Sequence, residues 1–267
     1  MNTRAHRTRG FTLIEMMVSM GIFILICGSA FTLLGVSQQR YQSDTQVLNS
    51  FQEARLGLDQ IVRDVNDSGY PPPNQYELPL PNASSYAVSP VAWSPGYLNF
   101  PATAACSMSG GCTTPSSTEM IIETNPAPQT GIGVQYIRYT LSNNILYRSM
   151  VPKAGQDPTG LGSNTWSNAV PFVQNVMNNA TPAQIAQINA SYPNMFPGGN
   201  PVAVFQYTCD TPTGPQDCSL AGPTGMPTNI RSVTVTLIVA TPTPDKQSGQ
   251  IRIVELTGRG SRLNSFQ

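Results

Sequence analysis

One carboxylate stands where a charge is expensive. Glu15 is flanked by Leu13, Ile14, Met16, Met17 and Val18 in an apolar run that extends from Phe11 to about Val36. An acid at the centre of a membrane helix costs about 2.5–3.5 kcal/mol on insertion scales. Such a group either sits at the headgroup boundary or has a dedicated cationic partner. The other residues that could do chemistry are sparse. The single histidine, His6, lies among the first ten residues, which argues against Ser-His-Asp and Cys-His hydrolases and against metal sites built on imidazole. Of the five cysteines, Cys27 falls in the apolar run, while Cys106 with Cys112 and Cys209 with Cys218 form two local pairs. Outside the cytoplasm these pairs read as two short-loop disulfides, each contributing about 2–3 kcal/mol on the chain-entropy estimate. Zinc would ask for closer spacing. Glu119 and Glu123 could serve as acid and base. On a strand, however, they share one face as ordinary surface residues, and nothing else converges on them. Asp210 and Asp217 lack the run of oxygen ligands that calcium requires. No enzyme, metal or cofactor is expected.

Composition agrees with a non-catalytic role. The 267 residues carry 14 basic and 14 acidic side chains, only 10% charged in all, so bulk positive charge does not recruit nucleic acid. Residues 1–10 contain Arg4, Arg7 and Arg9 without an acid. They read as a basic leader that holds this end of a membrane segment in the cytoplasm. The run 11–36 would be about 39 Å long as a helix, more than the ~30 Å hydrocarbon core.

The elements that position these residues follow from periodicity. Beyond Gln38 the chain turns polar, yet Tyr41, Val47, Leu48, Phe51, Ala54, Leu58, Ile61, Val62 and Val65 recur at three- and four-residue steps. This predicts an amphipathic continuation of the same helix over 37–69, ended by Ser68-Gly69 and Tyr70-Pro71-Pro72-Pro73. A bend or local loosening is expected near Gly28, Gly35 or Gly57. The head, 70–267, reads as strands: a short one near Tyr97–Phe100, then 119–124, 134–141, 145–149, 172–176, 202–208, 230–240 and 250–256. Asn143 and Asn144 suit a hairpin turn. Thr181-Pro182-Ala183-Gln184 predicts a capped helix over 182–189. The class is α+β, a long N-terminal helix packed on an antiparallel sheet.

The string Arg9-Gly10-Phe11-Thr12-Leu13-Ile14-Glu15 resembles the N-terminus of type IV pilin-like proteins. The resemblance implies cleavage after Gly10 by a prepilin peptidase and methylation of the new amino terminus at Phe11. It also implies that Glu15 pairs with the Phe11 ammonium of a neighbouring subunit in the assembled fibre. The expected partners are other pilins through the N-terminal helix, the prepilin peptidase/methyltransferase and the inner membrane. No nucleic-acid partner is expected. The expected topology is single-pass, with a cytoplasmic N-terminus and a periplasmic head before assembly, then the pilus at the cell surface. Within the family the head is similar to PilW-type minor pilins and to J-type pseudopilins of type II secretion. A binding role of the head, as an adhesin or DNA-uptake tip using Trp93, Trp166 or the loops 75–117 and 155–169, is the competing reading.

Overall fold

The computed structural model describes residues 11–77, 79–94, 106–153, 168–245 and 249–262. The leader, the segment Tyr97–Phe100, Trp166 and most of the loop 155–169 lie outside the described residues. Helix α1 runs unbroken from Leu13 to Asn66, about 81 Å at the standard rise. It continues through Gly28, Gly35 and Gly57 without interruption. After Asn66 the hydroxyl of Ser68 donates to the Val65 carbonyl at 2.6 Å, and Gly69 takes the left-handed conformation with φ 80°. That conformation ends helices at glycine because no Cβ opposes it.

The head holds two antiparallel sheets where one was expected. The first has the order β1-β2-β3-β4-β5, built from Val91–Ala92, Glu119–Thr124, Gln135–Ser142, Ile145–Pro152 and Val170–Val173. The second has the order β7-β6-β8-β9, from Gly214–Asp217, Phe205–Thr211, Ile230–Ala240 and Ile253–Ser261. Helix α2, Pro182–Ser191, follows a capping box of Thr181 and Gln184. Asn143 and Asn144, at φ 49° and 62°, turn β3 into β4.

α1 buries a stripe against the head at Ala54, Gly57, Leu58, Ile61, Asp64 and Val65. This is the three- and four-residue periodicity of the sequence, but contact begins later than the pattern suggests. Tyr41 and Leu48 are exposed and the buried stripe starts at Ala54, although the Thr243 hydroxyl already donates to the Gln46 amide oxygen at 2.7 Å. The main core lies between the stripe and the two sheets, with Met120, Ile122, Ile137, Phe205, Val233, Val235 and Leu237 all buried.

Glycines set the closest approaches. A Cβ on Gly57 would lie 2.4 Å from Val173 Cγ2, so this glycine admits β5 to the helix rather than bending it. A Cβ on Gly260 would lie 2.6 Å from Val65 Cγ1, and one on Gly258 3.0 Å from Val62 Cγ2. β9 therefore extends through Thr257-Gly258-Arg259-Gly260, beyond the expected end at Leu256, and lies directly on α1.

Candidate functional site

The N-terminal tip is organised by one local motif. Thr12 is extended, and its hydroxyl oxygen accepts from the Glu15 N–H at 3.4 Å. Glu15 Oε2 accepts in return from the Thr12 N–H and hydroxyl, each at 2.9 Å. This is a capping box, in which the carboxylate satisfies a donor that the first helical turn leaves open. Its sequence signal, Thr-x-x-Glu before an apolar run, is present in the chain as plainly as the one at Thr181. Within one chain Glu15 is thus held by Thr12; the partner assigned to it by resemblance belongs to a neighbouring subunit. Phe11 stands just before the helix and is exposed. Gly10 lies outside the described residues.

Above the tip, the helix offers a large uncovered surface. Met16, Met17, Ile22, Phe23, Leu25, Phe31 and Leu33 are each more than half exposed. The segment is long and apolar enough to cross a membrane. In water such a surface is strongly unfavourable, so lipid or neighbouring helices must cover it.

The head is fixed to the upper helix by a polar latch that sequence reasoning missed. Asp64, 5% exposed, accepts from the Tyr139 hydroxyl at 2.5 Å, from Arg148 Nη2 at 2.9 Å and from Gln60 Nε2 at 2.7 Å. The Arg148 guanidinium lies 5.8 Å from the Tyr139 ring centroid, and Phe172 packs on the same tyrosine. Burial, reinforced by the Asp64 charge, raises the Tyr139 pKa well above its ordinary value. The sequence places Tyr139 and Arg148 on strands but carries no sign of which acid they meet.

A second buried pair corrects the expectation for Glu119 and Glu123. Glu119 binds Arg138 at 2.9 Å near the surface, but Glu123 is fully buried. Glu123 Oε2 accepts from the Val88 N–H at 2.6 Å and from Lys153 Nζ at 3.2 Å, while Lys153 also donates to the Tyr86 carbonyl at 2.9 Å. Burial lowers the Lys153 pKa against the opposing pull of Glu123. The reason is that β2 is covered on both faces. Tyr86, Val88, Trp93, Tyr136 and Val151 form a second small core over the side that bears Glu123. Trp93 is a member of that core.

Cys106 is joined to Cys112, and Cys209 to Cys218, while Cys27 is free. The first loop is braced on the turn that follows Cys218: the Ser107 hydroxyl donates to the Gly222 carbonyl at 2.8 Å, and the Met108 N–H to the Gly225 carbonyl at 2.7 Å. Asp210 pairs with Arg231 at 3.3 Å, and Asp217 accepts from the Ser219 N–H and hydroxyl. Among the described residues no three His, Cys, Asp or Glu side chains group as metal ligands.

Residues 5–31 match the family model of the prokaryotic N-terminal methylation motif. No curated protein and no solved structure matches the chain. The motif, with the exposed apolar helix behind it, supports a type IV pilin-like precursor. The motif implies processing by prepilin peptidase and assembly with other pilins, and the apolar helix is consistent with membrane anchoring.

Proposed function

We propose that the chain is a minor pilin, an assembly subunit that initiates or caps a type IV pilus. Residues 1–10 are the leader, 11–36 the transmembrane half of the helix, 37–69 its amphipathic half and 70–267 the head. Cleavage falls between Gly10 and Phe11, and Phe11 receives the methyl group. Arg4, Arg7 and Arg9 keep the N-terminus cytoplasmic, and the two disulfides belong to a periplasmic head. The observation that carries the reading is the methylation motif joined to an apolar helix surface that the head leaves bare. Without the leader the balance is 11 basic to 14 acidic side chains, a net charge of −3. This suits a subunit held by apolar helix packing and one ion pair.

Mass spectrometry of the N-terminal peptide tests it, on protein from membranes and from sheared surface fibres. A start at N-methylated Phe11 in the sheared fraction is expected. The same terminus confined to membranes would favour a secretion pseudopilin, and an intact Met1 would refute processing. Glu15→Ala should leave cleavage intact and impair assembly. Normal piliation in that variant would contradict the role given to the carboxylate.

A further inference from the structure

Four strands form the outer edges of the two sheets, and three of them are blunted. β1 has two residues, β5 has four with Pro171 among them, and β7 has four with Pro215. Short length and proline are the usual means of keeping an edge from pairing with a foreign strand. β9 has neither. It runs nine residues without proline, and it pairs with β8 without a register shift from Ser232↔Ser261 to Ala240↔Ile253.

The register shows which backbone groups face outward. Arg262 N–H donates to the Arg231 carbonyl and Thr241 N–H to the Arg252 carbonyl, so the even-numbered residues of β9 bond to β8. The N–H and C=O of Ile253, Glu255, Thr257 and Arg259 then point away from the sheet. The outward N–H of Ser261 is met by the Asn66 side chain at 2.9 Å. Among the described residues no acceptor meets the N–H of the other four.

The exposed residues on this edge are Glu255, Thr257, Arg259 and Ser261; the Arg259 guanidinium also donates to the Ser232 hydroxyl on β8, through Nε at 3.1 Å and Nη2 at 2.8 Å. One acid and one base four residues apart do not repel a strand; they specify one. An antiparallel strand centred on Thr257 bears residues directly opposite Glu255 and Arg259, where opposite charges are favourable and like charges unfavourable. A second copy of this chain would satisfy the charges, since Glu255 and Arg259 would face each other twice. But β9 runs in the same direction as α1: Gly258 lies over Leu58 and Gly260 over Val65. Two copies joined antiparallel through β9 would point their helices in opposite directions, and one membrane could not hold both.

We propose that the outer edge of β9 docks an antiparallel strand from a different protein subunit, one with a basic residue opposite Glu255 and an acidic residue opposite Arg259. Backbone hydrogen bonds supply the attachment and the two charge pairs fix register and partner. The exclusion of a second copy, and the nature of that subunit as a neighbour in the fibre, rest on the membrane-anchored minor-pilin reading.

The test uses the full chain in detergent micelles and a synthetic nonapeptide, Thr-Val-Glu-Val-Thr-Val-Lys-Val-Thr. Its third and seventh residues fall opposite Arg259 and Glu255. Amide hydrogen exchange should slow at Glu255, Thr257 and Arg259 when the peptide is added. A peptide with Glu and Lys interchanged should bind about tenfold more weakly, as two charge pairs predict. Thr257→Pro removes an N–H that the fold does not use and should abolish protection. Should that variant misfold, Glu255→Lys with Arg259→Glu, at exposed positions, should reverse the preference between the peptides. Absence of protection, or a preference unmoved by charge reversal, would overturn the proposal. Protection that grows with protein concentration and needs no peptide would mean self-pairing and would overturn it too. None of these outcomes depends on where the N-terminus is cut.

Discussion

Asp64→Ala is the sharpest probe of how the head is held to its helix. The substitution strips the acceptor from the Tyr139 hydroxyl and from Arg148 Nη2 at once, in a site where Asp64 is buried and the Arg148 side chain is 22% exposed. Removing one member of a buried ion pair costs about 3–5 kcal/mol, because the partner is left charged and dry. Arg148 keeps some access to water, which places the loss at the low end. The Tyr139 hydroxyl, buried without an acceptor, adds to it. A loss of about 3 kcal/mol should lower the melting temperature by about 6–12 °C in a chain of this size. Tryptophan fluorescence in micelles reports it, since Trp93 is fully buried in the neighbouring small core. Adding Tyr139→Phe to Asp64→Ala should cost less than Tyr139→Phe alone, because the hydroxyl has already lost its acceptor and keeps only the Arg148 Nε–H that donates to it at 3.0 Å. A drop under about 3 °C, equivalent to roughly 1 kcal/mol, or additive double-mutant losses, would refute the latch.

Other perturbations have equally definite outcomes. Gly260→Val places a side chain inside the contact with Val65, where its Cβ alone would lie 2.6 Å from Cγ1. It should destabilise by about 1–3 kcal/mol, read as the same melting shift, whereas substitution at Gly28, with open space around it, should not alter head stability. Thiol counting on the unfolded, unreduced chain should find one free group, Cys27; five would remove both disulfides. Burial raises the phenol pKa values of Tyr139 and Tyr207, with the charges of Asp64 and Glu119 adding respectively. Above pH ~10 the unfolded chain loses these protons while the folded chain keeps them. Stability from these two groups is therefore complete below that pH and falls as it is exceeded. An ultraviolet titration should show both phenols ionising only with unfolding, and early titration would contradict their burial.

The helix was legible because its evidence is local and repeated. Thr12, Glu15, the apolar run and the steps from Ala54 to Val65 each speak for one element. β8 was legible for the same reason, with Val233, Val235, Leu237 and Val239 alternating with Thr234, Thr236 and Ile238. What escaped is what depends on partners distant in sequence. Glu123 looked like a surface acid because nothing near it announces that Lys153 and Tyr86 will close over it. Asp64 drew no reading from the sequence, because its partners Tyr139 and Arg148 come from β3 and β4, far along the chain. Gly258 and Gly260 looked like the end of a strand, since a glycine needed for close approach and a glycine that stops an element read alike. Two sheets were taken for one because alternation reports a buried face and not which layer buries it.

Fourteen large apolar side chains between Leu13 and Leu34 are exposed on the isolated chain, and at about 1.5–3 kcal/mol each their exposure to water opposes a free soluble subunit by upward of about 20 kcal/mol. A bilayer removes that penalty, and so does a bundle of neighbouring helices. The apolar term therefore anchors the subunit but scarcely distinguishes membrane from fibre, since lipid tails are as apolar as leucine. The decision falls to the polar groups at the tip. Among the described residues Glu15 accepts from the Thr12 N–H and hydroxyl, which are neutral donors. A neighbouring ammonium would supply a charge-assisted bond in place of a neutral one, roughly twice as strong. On the pairing proposed for Glu15, one carboxylate would then bias a transfer whose larger apolar energies nearly cancel.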